Sequence, residues 1–144
     1  MSFDQILSAT KIGASGMAAE RLRMEVIANN IANANTTRGV DGNPYRRQEV
    51  VFASVLDSVS DGDTHGLGGV RVDGVRPDQT DLPRVYRPGH PHADADGYVT
   101  MPNVHMATEM VDLITASRGY EANLKVLRSF REMVQNALSL LRGA

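Results

Sequence analysis

The sequence predicts an α+β fold: two long terminal helices, antiparallel in a coiled-coil-like stem, with a small β-rich region between them. Three observations carry this. Residues 3–35 and 104–142 contain no proline, all six prolines fall within 36–103, and the C-terminal segment repeats its apolar residues every three or four positions. We divide the 144 residues into an N-terminal stem helix (1–35), a β-rich and loop middle (36–103) and a C-terminal stem helix (104–144).

The C-terminal helix has the strongest pattern. Alternating steps of four and three from Met106 reach Met110, Leu113, Ser117, Tyr120, Leu124, Leu127, Arg131, Val134, Leu138 and Leu141. Only Ser117 and Arg131 break the apolar stripe, and a 3.5-residue repeat keeps a stripe facing one partner helix over many turns. At 1.5 Å per residue the stripe extends roughly 50 Å, longer than a domain of this size needs and suited to a rod. In the N-terminal helix the same stepping gives Phe3, Ile6, Thr10, Gly13, Met17, Glu20, Met24, Ile27, Ile31 and Ala34. Small residues from Gly13 to Ala19 allow another backbone close; two glycines there weaken an isolated helix, so its order depends on packing.

Antiparallel pairing with Ala34 near Met106 sets Thr10 and Gly13 opposite Arg131. Glu20 then lies some 15 Å from Arg131 along the axis, too far for a salt bridge within one pair. We therefore expect Glu20 or Arg131 to meet its charge partner on a neighbouring subunit. In the middle region, Arg47–Leu56, Val70–Val75, Leu82–Tyr86 and Tyr98–Met101 read as strands. Asp61-Gly62-Asp63 and Gly66-Leu67-Gly68-Gly69 read as turns. So few large apolar side chains make this region marginal alone, so it leans on the stem.

Composition excludes several functions. A formal charge of −2 with interspersed signs gives no basic stripe for nucleic acid, and tryptophan is absent. With no cysteine there are no disulfides and no thiolate metal site. Neither a basic-then-apolar leader nor a membrane-length apolar run is present, so we expect no cleaved signal peptide and no membrane insertion. Seven methionines suit adaptable contacts with neighbours.

The densest metal-ligand chemistry is His90-Pro91-His92-Ala93-Asp94-Ala95-Asp96-Gly97. As a calcium loop it has histidine at position 1 and Asn103 at position 12, and its flanks read as strand and turn, so a turn into Tyr98 is the simpler reading. No nucleophile elbow, phosphate loop or zinc helix is present, and Ser117 and Ser129 have no histidine nearby in sequence. We expect no enzyme, no cofactor and no metal. Asn29, Asn30, Asn33 and Asn35 are costly at a helix end. Either the helix frays there, or Asn29 and Asn33, one turn apart, hydrogen-bond an adjacent helix and fix register between subunits.

Val26-Ile27-Ala28-Asn29-Asn30-Ile31-Ala32-Asn33-Ala34-Asn35-Thr36-Thr37 resembles the N-terminal signature of bacterial flagellar rod and hook proteins. Glu109-Met110-Val111 to Tyr120-Glu121-Ala122-Asn123 resembles its C-terminal counterpart. Asn43-Pro44-Tyr45-Arg46-Arg47-Gln48-Glu49-Val50-Val51-Phe52, His90-Pro91 through Gly97-Tyr98-Val99, and Pro102-Asn103-Val104 narrow the likeness to the proximal rod, as does the short middle. The resemblance implies a structural subunit of the periplasmic drive shaft, exported unfolded by the flagellar type III apparatus, with terminal helices forming the inner tube. It implies copies of this chain and the rod proteins FlgB, FlgF, FlgG and FliE as partners, and leaves contact with the periplasmic ring open.

From stripe and resemblance together, the expected assembly interface is Met17, Met24, Ile27, Asn29, Ile31 and Asn33 on the first helix. On the second it is Met110, Leu113, Tyr120, Leu124, Leu127, Arg131 and Leu138. Two other readings compete: a coiled-coil adaptor that never polymerises, and a metal-dependent hydrolase using His90, His92, Asp94 and Asp96.

Overall fold

The computed structural model describes the backbone of residues 3–56 and 67–142, and the side chains of 10–55 and 68–140. The chain runs α1 (Phe3–Ala32), β1 (Gln48–Leu56), β2 (Leu67–Pro77), β3 (Arg84–Tyr86), β4 (Tyr98–Thr100) and α2 (Met106–Arg142). The Asp61-Gly62-Asp63 turn and His65 lie outside the described residues, as do the side chains of Phe3, Ile6 and Leu141.

The helices pair antiparallel in nearly the expected register: Asn30 opposes Glu109, Glu20 lies against Gly119, Gly16 against Asn123 and Gly13 against Leu127. A Cβ added to Gly16 would come within 2.9 Å of the Asn123 amide, and one on Gly13 within 3.2 Å of Leu127. Glycine here sets how closely the helices approach. Ala19 and Ala116 are buried in the same stem, Ala116 completely. The inward line on α2 therefore runs through Glu109, Ala116, Gly119, Asn123 and Leu127, one position off the expected apolar stripe over its first half. Small side chains take the closest approach, and the large apolar ones lie beside it.

β1 and β2 form an antiparallel hairpin with register shifts after Val51 and Val55. It lies along α1, fixed at two places. Near one end the side chain of Asn30 holds Gln48. Near the other, Ser15 Oγ donates to the Ile12 carbonyl at 2.8 Å and accepts the Val70 N–H at 3.1 Å. Fifteen helical residues cover about 22 Å and the six strand steps from Gln48 to Ser54, the partner of Val70, about 20 Å, so the two fixings match in length. Gly69 has a φ of +102°, where a Cβ would run into Ser15, so the hairpin can sit on the helix only with glycine there. Among the described residues neither strand packs on α2: α1 is the middle layer, with α2 on one side and the hairpin on another.

β3 and β4 form a second, three-pair hairpin in which Val99 is buried. Its connection is the His90–Gly97 segment. Asp94 Oδ1 accepts the N–H groups of Tyr98 at 2.8 Å and Asp96 at 3.1 Å, and its other oxygen meets Arg84. The Tyr98 N–H lowers the Asp94 pKa most, burial opposes it, and Arg84 and the Asp96 N–H add to the lowering. His90 Nδ1 accepts the His92 N–H, and His92 Nδ1 pairs with Thr37 Oγ1 at 2.8 Å. The segment is a turn docked beside the end of α1; no three His, Asp or Glu side chains gather as metal ligands among the described residues.

Candidate functional site

Two features of the stem bear on function: a buried polar node at its upper end and uncovered helix faces along its length. The node centres on Asn30, which is fully buried. Its Oδ1 accepts the Tyr45 hydroxyl at 2.9 Å and the Gln48 N–H at 2.8 Å, and its Nδ2 donates to the Gln48 carbonyl at 2.9 Å and to Glu109 Oε2 at 3.0 Å. That uses all four hydrogen-bonding capacities of the amide. Towards Gln48 the side chain behaves as an adjoining strand would, closing the backbone of β1 where its ladder starts.

Glu109, in the first turn of α2, is equally buried, and its Oε1 accepts Arg47 Nε at 2.5 Å. Arg47 further reaches Asp112 at 3.5 Å, Asp78 at 3.7 Å and Glu49. Burial pulls the Arg47 pKa down, but the hydrogen bond and charge of Glu109, with Glu49 beyond, outweigh it and hold the guanidinium protonated. Burial, then Glu109, pushes the Tyr45 hydroxyl up, keeping it a donor to Asn30. Asn103 completes the node, accepting the Arg47 N–H at 2.8 Å and donating to Thr80 Oγ1 at 2.8 Å. The Asp78 carboxylate is held low by the N–H of Thr80 and then its hydroxyl, against burial, with Arg47 assisting. α1, the loop after it, β1, the segment before α2 and α2 itself are thus tied at one point. A buried carboxylate is tolerable there because it meets both a guanidinium and an amide.

Of the residues expected to carry register, Asn29 and Asn33 turn to each other, Asn33 Nδ2 donating to the Asn29 carbonyl and Oδ1, both at 2.9 Å. Asn30, between them, makes the tertiary contacts. Glu20 finds an ion-pair contact within its own chain, Arg23 one turn on at 3.8 Å, although its Oε2 has no hydrogen-bond donor. The expected opposition of Gly13 and Arg131 does not form: Leu127, one turn nearer, fills the space at Gly13 and Arg131 is exposed.

Of the expected interface residues, Ile27 is buried, while Met17, Met24, Ile31, Leu113, Tyr120, Leu124 and Leu127 are half-buried against the partner helix side of the stem. Met110 and Leu138 are more than half exposed, and Val111, Ile114, Val126, Met133 and Leu140 join them. Among the described helices and strands α2 packs only on α1, and this apolar surface is left exposed. No helix among the described residues is long and apolar enough to cross a membrane.

Comparison with known proteins gives the surface its context. Residues 11–38 match the flagella basal body rod protein family, and residues 95–140 match the flagellar basal body rod FlgEFG protein C-terminal family. The chain is 42% identical over 150 residues to the flagellar basal-body rod protein FlgC of Borreliella burgdorferi, covering 96% of this chain and 99% of that protein. It is 42% identical to FlgC of Salmonella typhimurium, covering 94% and 97%, and 39% identical to FlgC of Bacillus subtilis, covering 90% and 93%. The two matched segments contain most of α1 and all but the end of α2, the helices whose outer faces are uncovered. With identities of this size over nearly the full length, the chain belongs to the flagellar basal-body rod protein FlgC family, as a non-enzymatic structural subunit of the rod.

Proposed function

We propose that the chain enters the rod by helical repetition, stem against stem, and that these contacts transmit torque. The observation that carries this is the uncovered apolar surface of α2, whose Met110, Val111 and Ile114 point away from the one helix it packs on. A patch of that kind marks a protein contact, and an open series of heterologous contacts builds a filament. Met17, Met24, Ile27 and Ile31 with Leu113, Tyr120, Leu124, Leu127 and Leu138 form or border the seam, and Asn29, Asn33 and Arg131 lie exposed or half-exposed where a neighbour can reach them. Segments 1–35 and 104–144 build the inner wall, with 36–103 outside it. The neighbours are copies of this chain and FlgB, FlgF, FlgG and FliE; the rod stands in the periplasm, and the chain arrives there by the flagellar type III apparatus without a cleaved signal peptide.

The test is complementation of a strain lacking this protein. Leu124→Asp places a charge in the seam, and the expected result is no rods containing the variant in isolated basal bodies and no motility. Normal motility with the variant incorporated overturns the proposal.

A further inference from the structure

The geometry points to one register for the contact between copies: the outward face of α2 seats on the outward face of α1 of a second copy, antiparallel, with Ile114 over Ala28 and Met110 over Ala32. The inference rests on the assembly reading above and specifies its partner and alignment. Its starting point is that both faces are exposed, although each helix is packed elsewhere in its own chain. On α1 the face turned away from both α2 and the hairpin runs Ala14, Ala18, Arg21, Glu25, Ala28 and Ala32, in steps of four and three. On α2 the face opposite α1 carries Met110 and Ile114, 54% and 53% exposed, followed by the exposed charges Arg118, Glu121, Lys125, Arg128 and Glu132.

Copies repeated with one polarity set α1 of one chain against α2 of the next in the same antiparallel sense as within a chain. When Ile114 faces Ala28, every paired charge meets its opposite: Arg118 falls beside Glu25, Glu121 beside Arg21, and Glu132 beside Lys11. Lys125 meets the neutral Ala18. Large apolar side chains meet small ones at the upper end, where the close approach removes most apolar surface from water. The neighbouring alignments fail on charge. In the register used inside the chain, Arg21 would face Arg118 and Lys11 would face Arg128. One turn beyond the proposed register, Glu25 would face Glu121 and Arg21 would face Lys125. Single exposed ion pairs are weak, but two like-charge contacts in each rejected register against three opposite-charge contacts in the proposed one discriminate between them. Relative to the register inside the chain, the neighbour is displaced by about three residues, or about 4.5 Å along the axis.

The chain has no cysteine, so introduced pairs report alone. Rods are isolated from cells making full-length chain with Ala28→Cys and Ile114→Cys, then oxidised. The expected product is a covalent ladder of this chain, absent from either single variant and from Ala28→Cys with Glu121→Cys, whose second cysteine lies two turns away. In parallel, Arg21→Glu should lower incorporation several-fold and Arg21→Glu with Glu121→Arg restore it. Rods that form without the ladder, a ladder from the control pair, a cross-link to a different rod protein, or a charge swap that restores nothing overturns the register or the partner while leaving the assembly reading standing. Wild-type chain absent from isolated rods overturns that reading as well, and this inference with it.

Discussion

The upper and lower parts of the stem differ in what they complete. At the upper end Ile27, Asn30, Glu109 and Ala116 are at most 5% exposed, and the buried polar atoms of Asn30 and Glu109 have partners within the chain. Beyond Leu127 the same helix α2 shows Met133, Leu138 and Leu140 to solvent at 55% or more. At the upper end the chain itself finishes the inner face and leaves only the outer Met110, Val111 and Ile114 to a neighbour; at the lower end most of the large apolar side chains are left for a neighbour to bury. Polar satisfaction fixes a unique arrangement of this subunit, whereas apolar surface tolerates several related neighbours.

Variants at the two ends should therefore separate folding from assembly. The largest expected effect on the isolated chain is Glu109→Ala, which takes the buried acceptor from Arg47 Nε and from one Asn30 donor, leaving the guanidinium only its contacts with Asp112, Asp78 and Glu49, and should lower unfolding free energy by about 3 to 5 kcal/mol in urea titrations. Asn30→Ala leaves the Gln48 backbone groups and the Tyr45 hydroxyl short of partners and should cost about 2 to 3 kcal/mol. A loss below about 1 kcal/mol for both would mean that the node does not hold the upper stem. Leu138→Asp, at an exposed position, should leave the same titration within about 0.5 kcal/mol of wild type while abolishing incorporation into rods. Comparable destabilisation by Leu138→Asp and Asn30→Ala would erase the distinction.

The smallest effect concerns pH. Asp78 and Asp94 both have folded-state pKa values below the ordinary carboxylate range. Each contributes stability that is present above the unfolded value of about 4 and is lost as pH falls through the lowered folded value. The amide resonances of Thr80 and Tyr98, whose N–H groups the carboxylates accept, should hold their positions down to about pH 4 and move together with carboxylate protonation below it. Movement already near neutral pH would contradict those hydrogen bonds.

Most of the fold was legible from patterns of residue type. Proline placement divided the chain, and strands expected at Arg47–Leu56 and Tyr98–Met101 appear at Gln48–Leu56 and Tyr98–Thr100. The antiparallel stem followed from the two proline-free ends, and its register lies within about one turn of the expected one, with Leu127 and not Arg131 at Gly13. The stripe was harder to place: Met110 and Leu113 are the larger residues, but Glu109 and Asp112 occupy the inner line because they have Asn30, Arg23 and Arg47 to meet. A 3.5-residue repeat cannot distinguish a stripe that faces its own chain from one that faces the next. Glu109 and Asn30 were illegible as a pair because nothing local signals a polar contact between residues so far apart in sequence. Their signal lay in the stretches around them that resemble other rod proteins, and Asn29 and Asn33 drew attention from Asn30 because helical spacing favours pairs one turn apart.

The Asn30–Glu109 contact spans 79 positions of the chain. Synthesis releases the N-terminus first, so the residues of α1 and of its hairpin emerge ahead of Glu109, with Asn30 preceding it by more than half the polypeptide. During that interval the inner side of α1, with its glycines and Ile27, has nothing of its own to cover it. Closure of so long a loop is entropically slow to begin and cooperative once begun. The order in which the parts emerge thus delays the point at which a subunit acquires its rigid shape until Glu109 and the helix behind it are present.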